Sequence, residues 1–308
     1  MITVKKRGGK VIDNKYEDWK KELRTELVAG LTGDLQEKNA AFSHIGYYYM
    51  SYAPVFLYKY YSDKQEKIDS VREKKMWYSA PCNFNDVFDC DISIDETRIF
   101  NSLLQMVPDK RGVRPGSQMW RQLKKIMNKE IHSLRDTFEY MKTTMGISCL
   151  SESYDSLLMW AHYANIHRGM CVEYELMEIN KQLGFSPIPV IYSDERVSFH
   201  SINQDTLEVN SFRFFIESLT SKSLEWSYEK EWRIIRDNVA CGNKWDTEKK
   251  GALLDMVRPR SVILGCMVKP DFEKIIHEYC EEYKVNLYKM EKDLNLYCLR
   301  KSSILKFD

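Results

Sequence analysis

Eight cysteines occur in the 308 residues, and no two of them form a C-x-x-C pair. That excludes a zinc knuckle and a small disulfide scaffold, and reads as thiols buried in a reducing compartment. No stretch approaches the roughly 20 consecutive apolar residues of a membrane span. The opening "MITVKKRGGK" has basic residues but no apolar segment behind it, so no secretory signal is read. The expectation is a soluble, cytoplasmic protein with no membrane association. Neither sign of charge is in excess: 46 Lys and Arg against 45 Asp and Glu give +1. No global field therefore draws the chain to nucleic acid or anionic lipid. A G-x-x-x-x-G-K-[ST] loop, a G-x-S-x-G elbow and a G-x-G-x-x-G turn are all missing, which argues against P-loop kinases, serine-triad hydrolases and Rossmann dehydrogenases.

What the chain does have is an ordinary globular share of hydrophobic residues, 44%, and a rich aromatic supply of 19 tyrosines and seven tryptophans that excludes a disordered chain. Its length fits one large domain or two modest ones. Tyr16, Trp19, Leu23 and Leu27 mark one helix face, interrupted by Gly30 and Gly33, so residues 1–50 read as a helical N-terminal extension joined to the rest by "YYYMSYAP". Residues 51–308 read as an α+β domain with a helical insertion around 100–143. In it, "VFLYKYY" and "KMWYSA" are strands separated by a polar helix. A long helix begins near Gln118, with Trp120, Leu123, Met127, Ile131, Leu134, Phe138 and Met141 at spacings of three and four. "GISCLSE", "MCVEYEL", "IPVIYSD" and "YEKEWRIIR" are strand-like, with a helix from Ser156 to Asn165 and another marked by Phe212, Phe215, Ile216 and Leu219. The end reads β-α-β-β: "SVILGC", a helix opened by Pro270, "KVNLYKM" and "LNLYCLR". Helices and strands mix without a βαβ rhythm, giving α+β with a mixed, mostly antiparallel sheet and flanking helices.

Four places carry candidate chemistry. On a helix from Leu157, Trp160, Tyr163 and His167 lie together and His162 faces another way. The two histidines are five apart, not the i, i+4 of a helical metal pair. Gly169 suits the helix C-cap. Leu157, Leu158 and part of Trp160 are expected inward, and His162, Tyr163 and His167 toward a cleft; the alternative is two satisfied histidines at a helix end. In "YEKEWRI", Glu229, Glu231 and Arg233 share one strand face, opposite Tyr228, Lys230, Trp232 and Ile234. That face is either a solvated charge ladder or a pair of oriented carboxylates. Asp86, Asp89 and Asp91 invite a metal but lack the glycine and terminal glutamate of a calcium loop. Seven basic residues and no acidic one fall between Lys110 and Lys129, a solvated face or a phosphate surface.

"FLYKYYS", "YSAPCNFNDVFDCD", "GISCLSESYDSLLMWAHYANIHRGMCVEYE", "SYEKEWRII" and "VILGCMV" together resemble a bacterial family known only as a domain of unknown function, over about residues 55–300. The resemblance implies a setting in mobile or phage-defence loci, as a toxin or defence effector. The order is also similar to the ADP-ribosyltransferase plan, a split sandwich. A first strand carries an NAD-binding residue, a serine strand follows, and a late strand carries E-x-E. That similarity implies Tyr58, Lys59 and Tyr60, then Ser148 and Ser151, then Glu229 and Glu231, with NAD as substrate. Lys59 departs from the Arg or His usual at the first position. Breaking the nicotinamide–ribose bond passes through an oxocarbenium-like state that needs a fixed carboxylate and an aromatic wall. Glu231 is assigned the first role and Glu229 the acceptor's proton. Trp160, His162 or Tyr163 is assigned to the wall and the phosphates; His162 also counts as catalytic, and His167 and Arg233 as further NAD-binding residues. Three readings stand: transfer of ADP-ribose to a protein or nucleic-acid acceptor, or hydrolysis of NAD; a metal-dependent nuclease using Asp86, Asp89, Glu229 and Glu231; and a non-catalytic binding module. The N-terminal helices are candidates to dock a partner protein.

Overall fold

The computed structural model describes residues 18–108, 110–199 and 207–307, without the side chains of 110 and 207–212. Tyr16 and the side chain of Phe212 lie outside them. The chain forms two compact units, Met1–Ala53 and Pro54–Asp308.

The first unit is a helical hairpin of α1 (Asp18–Thr32) and α2 (Leu35–Tyr52). Trp19 stacks on Tyr52 at 5.8 Å, Tyr48 donates to Glu22 at 2.6 Å, and His44 Nδ1 sits 3.0 Å from Glu26. These partners climb one helix as they descend the other, so the two run antiparallel. Gly30 does not interrupt α1, and "YYYMSY" is helix rather than connector. Asp34 and Glu37 form a capping box that opens α2, satisfying the Glu37 amide and the N-cap amide.

In the second unit, β1 (Phe56–Tyr61), α3 (Gln65–Arg72) and β2 (Lys75–Ser79) precede β3 (Ser93–Ile94) and the helical layer of α4 (Glu96–Gln105) and α5 (Gln118–Thr144). The three-four spacing of α5 is explained by what it buries: Leu123, Met127 and Ile131 pack on Ile99 and Leu103 of α4, and Phe138 and Met141 pack on Phe214 and Leu219. Then come β4 (Met145–Ser151), α6 (Leu157–Tyr163), β5 (Met170–Glu175), α7 (Leu176–Leu183), β6 (Ile188–Pro189), β7 (Ile191–Ser193), β8 (Ser198–Phe199) and α8 (Leu207–Leu219). The chain ends with β9 (Ser221–Ser223), β10 (Glu231–Asp237), α9 (Asn238–Cys241), β11 (Trp245–Asp246), β12 (Gly251–Asp255), β13 (Ser261–Leu264), α10 (Pro270–Tyr283), β14 (Asn286–Lys292) and β15 (Leu299–Leu305).

The class is α+β with a mixed, mostly antiparallel sheet ordered β11-β12-β2-β4-β1-β5-β13-β14-β15, with β10 joined to β4 and β6 to β10. Its parallel pair, β13 and β14, is bridged by α10. The last strand begins five residues later than "LNLYCLR" suggests. The Asp293 carboxylate accepts from the backbone of Asn295 and Leu296, folding a turn where the strand was expected. Leu294 and Tyr297 are left almost fully exposed.

One irregularity of the sheet opens a cavity. β10 pairs with β4 along its whole length, from Glu231↔Ser151 to Asp237↔Met145. On the other edge of β4, β1 joins only at Tyr58↔Ser151 and β2 only at Ser79↔Ile147. Beyond those points β1 follows β5 and β2 follows β12. The sheet therefore splits beside Ser148–Leu150. There the Cys149 carbonyl accepts from Lys59 Nζ at 2.8 Å, a side chain standing where a neighbouring strand would supply an N–H.

Candidate active site

A cavity of ≈520 Å³ opens at this split, lined among others by Lys59, Asn83, Asn85, His162, Lys222 and Glu229. That size lies within the ordinary range for a small-molecule site.

Its floor is an ionic network. Arg233, fully buried, donates from Nε to Glu231 at 2.7 Å, from Nη2 to both Asp89 oxygens at 2.8 Å, and from Nη1 to the Leu219 carbonyl at 2.8 Å. Lys222 Nζ donates to Glu229 at 2.6 Å and to Glu231 at 3.1 Å, with Asp89 at 3.3 Å. Three buried carboxylates thus share two buried cations. Burial of this kind is tolerable only with such pairing, because an unpartnered interior charge is very costly.

Local folding brings the groups together. Lys222 lies on β9, which pairs parallel to β7 through Tyr192↔Lys222, and the Tyr192 hydroxyl accepts from the Glu231 amide at 2.8 Å. Glu229 and Glu231 do not share a strand face. Residues Leu224–Glu229 form a 3₁₀ turn, Lys230 takes a left-handed φ of 44°, and the strand starts only at Glu231. Ser151 Oγ donates to the Glu229 carbonyl at 2.6 Å and fixes that turn. The two acids converge because the turn returns Glu229 to the same ammonium, so the strand alternation predicted for Tyr228–Ile234 is corrected here.

The two carboxylates are pushed in opposite directions. Burial opposes ionisation of Glu231, but Arg233 and Lys222 together outweigh it and hold the carboxyl well below the usual range. For Glu229, burial wins over the attraction of Lys222, with repulsion from Glu231 added, and the carboxyl is raised. Burial disfavours the charge on Lys222, yet Glu231, Asp89 and Glu229 more than offset this, so it stays firmly protonated. Lys59 is lowered by burial, ahead of the pull from Cys149 and Glu231. Burial also pushes up the thiols of Cys149 and Cys90, which makes them poor nucleophiles.

The split brings together Lys59, Ser148, Glu229, Glu231, Arg233, His162 and Tyr163. Lys59 Nζ donates to Ser148 Oγ at 3.3 Å, and the Tyr163 hydroxyl donates to Glu229 at 2.5 Å. His162 sits at the rim, 6.3 Å from the Tyr228 ring. Tyr58 and Tyr60 also border the cavity, but they alternate with Lys59 on β1 and their rings pack in an apolar cluster with Met159 and Trp160. Their hydroxyls donate to Glu173 at 3.0 Å and to the Ser153 carbonyl at 2.8 Å.

On α6 the faces are rearranged from the expectation. Leu157 and Leu158 are exposed, while Met159 and Trp160 are buried. His162 and Tyr163 face the cavity together, and His167 instead stacks on Trp160 at 6.5 Å and lines a different recess. The helix stops at Tyr163, earlier than predicted, because Asn165, Ile166 and His167 take left-handed φ values of 45°, 53° and 63°. Gly169 is no helix cap. A Cβ there would collide with the Tyr61 carbonyl, so it permits close passage of β1.

The three aspartates read as metal ligands diverge. Asp89 serves Arg233, Asp91 serves Lys142 at 2.9 Å and Arg196, and Asp86 accepts from the Phe88 amide at 2.9 Å. Among the described residues no three His, Cys, Asp or Glu side chains are grouped to hold a metal ion. On the basic half of α5, Lys124 lies over the rings of Phe100 and Trp120 at 4.9 and 5.8 Å. No helix among the described residues is long and apolar enough to cross a membrane.

Residues 159–234 match a protein family of unknown function, DUF2971. That stretch carries His162, Tyr163, Lys222, Glu229, Glu231 and Arg233, and leaves Lys59 and Asp89 outside. No curated protein and no solved structure matches the chain.

Proposed function

We propose that the second unit cleaves the bond between nicotinamide and ribose in NAD, passing ADP-ribose to an acceptor or to water. The observation that carries this reading is the pair Glu229 and Glu231, bound to one ammonium in one cavity with their acidities driven apart. Two carboxylates with separated acidities divide an acid–base task between them.

The chemistry asks for that division. The C1′–N bond breaks with both electrons going to the pyridinium nitrogen, so nicotinamide leaves neutral and needs no proton. Positive charge develops on the ribose, and a carboxylate held ionised, as Glu231 is, stabilises it. The acceptor oxygen then bonds C1′ and loses one proton. Glu229, raised toward working pH and presented by Lys222 and Tyr163, receives it. Lys59 and Ser148 at the split, with His162 and Tyr163 at the rim, supply polar contacts for the dinucleotide. NAD enters as substrate.

The test is nicotinamide release from NAD by the full chain, followed by chromatography, for the wild type, Glu229→Gln and His162→Ala. Release that Glu229→Gln abolishes in a folded protein supports the reading. No release across a range of acceptors contradicts it. Chelator-sensitive cleavage of DNA or RNA would instead favour the nuclease.

A further inference from the structure

A second recess, ≈610 Å³, lies beside the same short helix. Leu157 and His167 line it, whereas Met159, His162 and Tyr163 line the first. Its walls are mostly apolar, with Met267, Leu296 and Leu299 contributing. Two nitrogen groups break that character. His167 Nδ1 is buried and has no hydrogen-bond partner. Lys292 has no carboxylate within ion-pair reach among the described residues. The adjacent Asp293 is occupied by the amides of Asn295 and Leu296 and by Arg300.

The backbone around His167 is held in an unfavourable shape. Three successive non-glycine residues, Asn165, Ile166 and His167, are left-handed, a conformation that persists only where surrounding contacts enforce it. The enforcing contacts are visible: His167 N donates to the Trp160 carbonyl at 3.1 Å, Met267 N to the His167 carbonyl at 3.0 Å, and Asn165 Nδ2 to Asp63 at 2.6 Å. Gly265 has no room for a Cβ against that same carbonyl. The result of this strain is an imidazole stacked on Trp160 whose buried Nδ1 meets no hydrogen-bond partner. Burial, with Lys292 nearby, keeps the ring neutral, so Lys292 supplies the charge and His167 the N–H.

We propose that this recess binds a small amphipathic carboxylate, its apolar body on Leu157, Met267 and Leu296 and its carboxylate between Lys292 Nζ and His167 Nδ1. One carboxylate gives the buried imidazole nitrogen an acceptor and pairs with Lys292, which is exposed at the recess. Neutral apolar molecules leave both unmet, and inorganic phosphate leaves the walls uncovered. The site is independent of the reaction proposed for the first cavity.

Isothermal titration of the full chain with 4-phenylbutyrate, 4-phenylbutanol and inorganic phosphate tests this. The acid is expected to bind saturably at one site, the alcohol about tenfold or more weaker, and phosphate without measurable heat. Lys292→Met is expected to weaken the acid about tenfold. Hydrogen exchange on the wild type, which needs no variant to fold, is expected to slow over residues 157–169 and 292–299 when the acid binds. Absence of saturable binding, equal affinity for acid and alcohol, unchanged affinity in Lys292→Met, or protection confined to other segments overturns the proposal.

Discussion

Lys222 and Lys292 each line a recess beside α6, yet Lys222 has three carboxylates within 3.3 Å and Lys292 has none among the described residues. Around Lys222 every ionised group is held by another within the protein. Around Lys292, which is exposed, the protein supplies no anion among the described residues, and it leaves one buried imidazole nitrogen without a partner. The difference separates two uses of charge. A reaction site needs carboxylates preorganised at fixed acidities before substrate arrives. A binding site gains affinity by leaving a need for the ligand to fill.

Exchanging the two lysines one at a time breaks the comparison most sharply. Lys222→Met abandons three buried carboxylates to one guanidinium, and urea unfolding should show a loss of about 3–5 kcal/mol. Lys292→Met should stay within about 0.5 kcal/mol of the wild type. Similar losses for both would mean the recesses do not differ as described.

Glu229→Gln tests the reactive side. The amide keeps an oxygen for Lys222 and removes a charge that burial disfavours, so stability should change by no more than about 1 kcal/mol. The rate of nicotinamide release should fall by about 10²–10⁴, the usual worth of a general base. An unchanged rate would remove Glu229 from the chemistry.

Gly265→Ala sharpens the other side. The new methyl meets the His167 carbonyl, and overpacking of this kind costs about 1–3 kcal/mol. Faster hydrogen exchange should appear first over Asn165–Gly169. If it appears only elsewhere, the left-handed turn is not held by that contact.

The smallest expected effect is on pH. The release rate should rise with pH as Glu229 loses its proton, and burial places that rise above the ordinary carboxylate value. Tyr163→Phe removes a donor to the ionised form, so the rise should move to still higher pH, by less than about one unit. The stability signs oppose each other. A raised Glu229 contributes stability that is present in acid and lost as pH rises through its folded pKa. A lowered Glu231 contributes stability present at neutral pH and lost only in strong acid.

Much of the fold was legible because its elements repeat a period. The spacing from Trp120 to Met141 on α5 and the strands β1, β2 and β4 follow from side chains that must be buried. The second N-terminal helix was also encoded, in the Asp34–Glu37 capping box, but "YYYMSY" lacks a polar face and reads as connector. In the site, E-x-E pointed to two acids that do meet at one ammonium, though not by strand alternation, since Lys230 in a left-handed turn carries no period that a strand template can register. The spacing of Asp89 with Asp86 and Asp91 suggests a metal ligand, whereas its partner is an arginine 144 residues away. Lys222 was missed altogether: "SKSLEW" has no feature marking its lysine as buried. The available clue was charge balance, because a strand expected to bury two glutamates needs more than Arg233 to neutralise them. The spacing places Trp160 and His167 together, and they do stack, but across three left-handed residues that helical periodicity does not foresee.

The divergence of the Glu229 and Glu231 acidities is the claim on which the reaction rests. Side-chain ¹³C NMR across a pH titration, with each carboxyl assigned by its Gln variant, measures it directly. The account predicts Glu231 ionised well below the ordinary carboxylate range and Glu229 titrating above it. Two carboxyls titrating together near the ordinary value would contradict it.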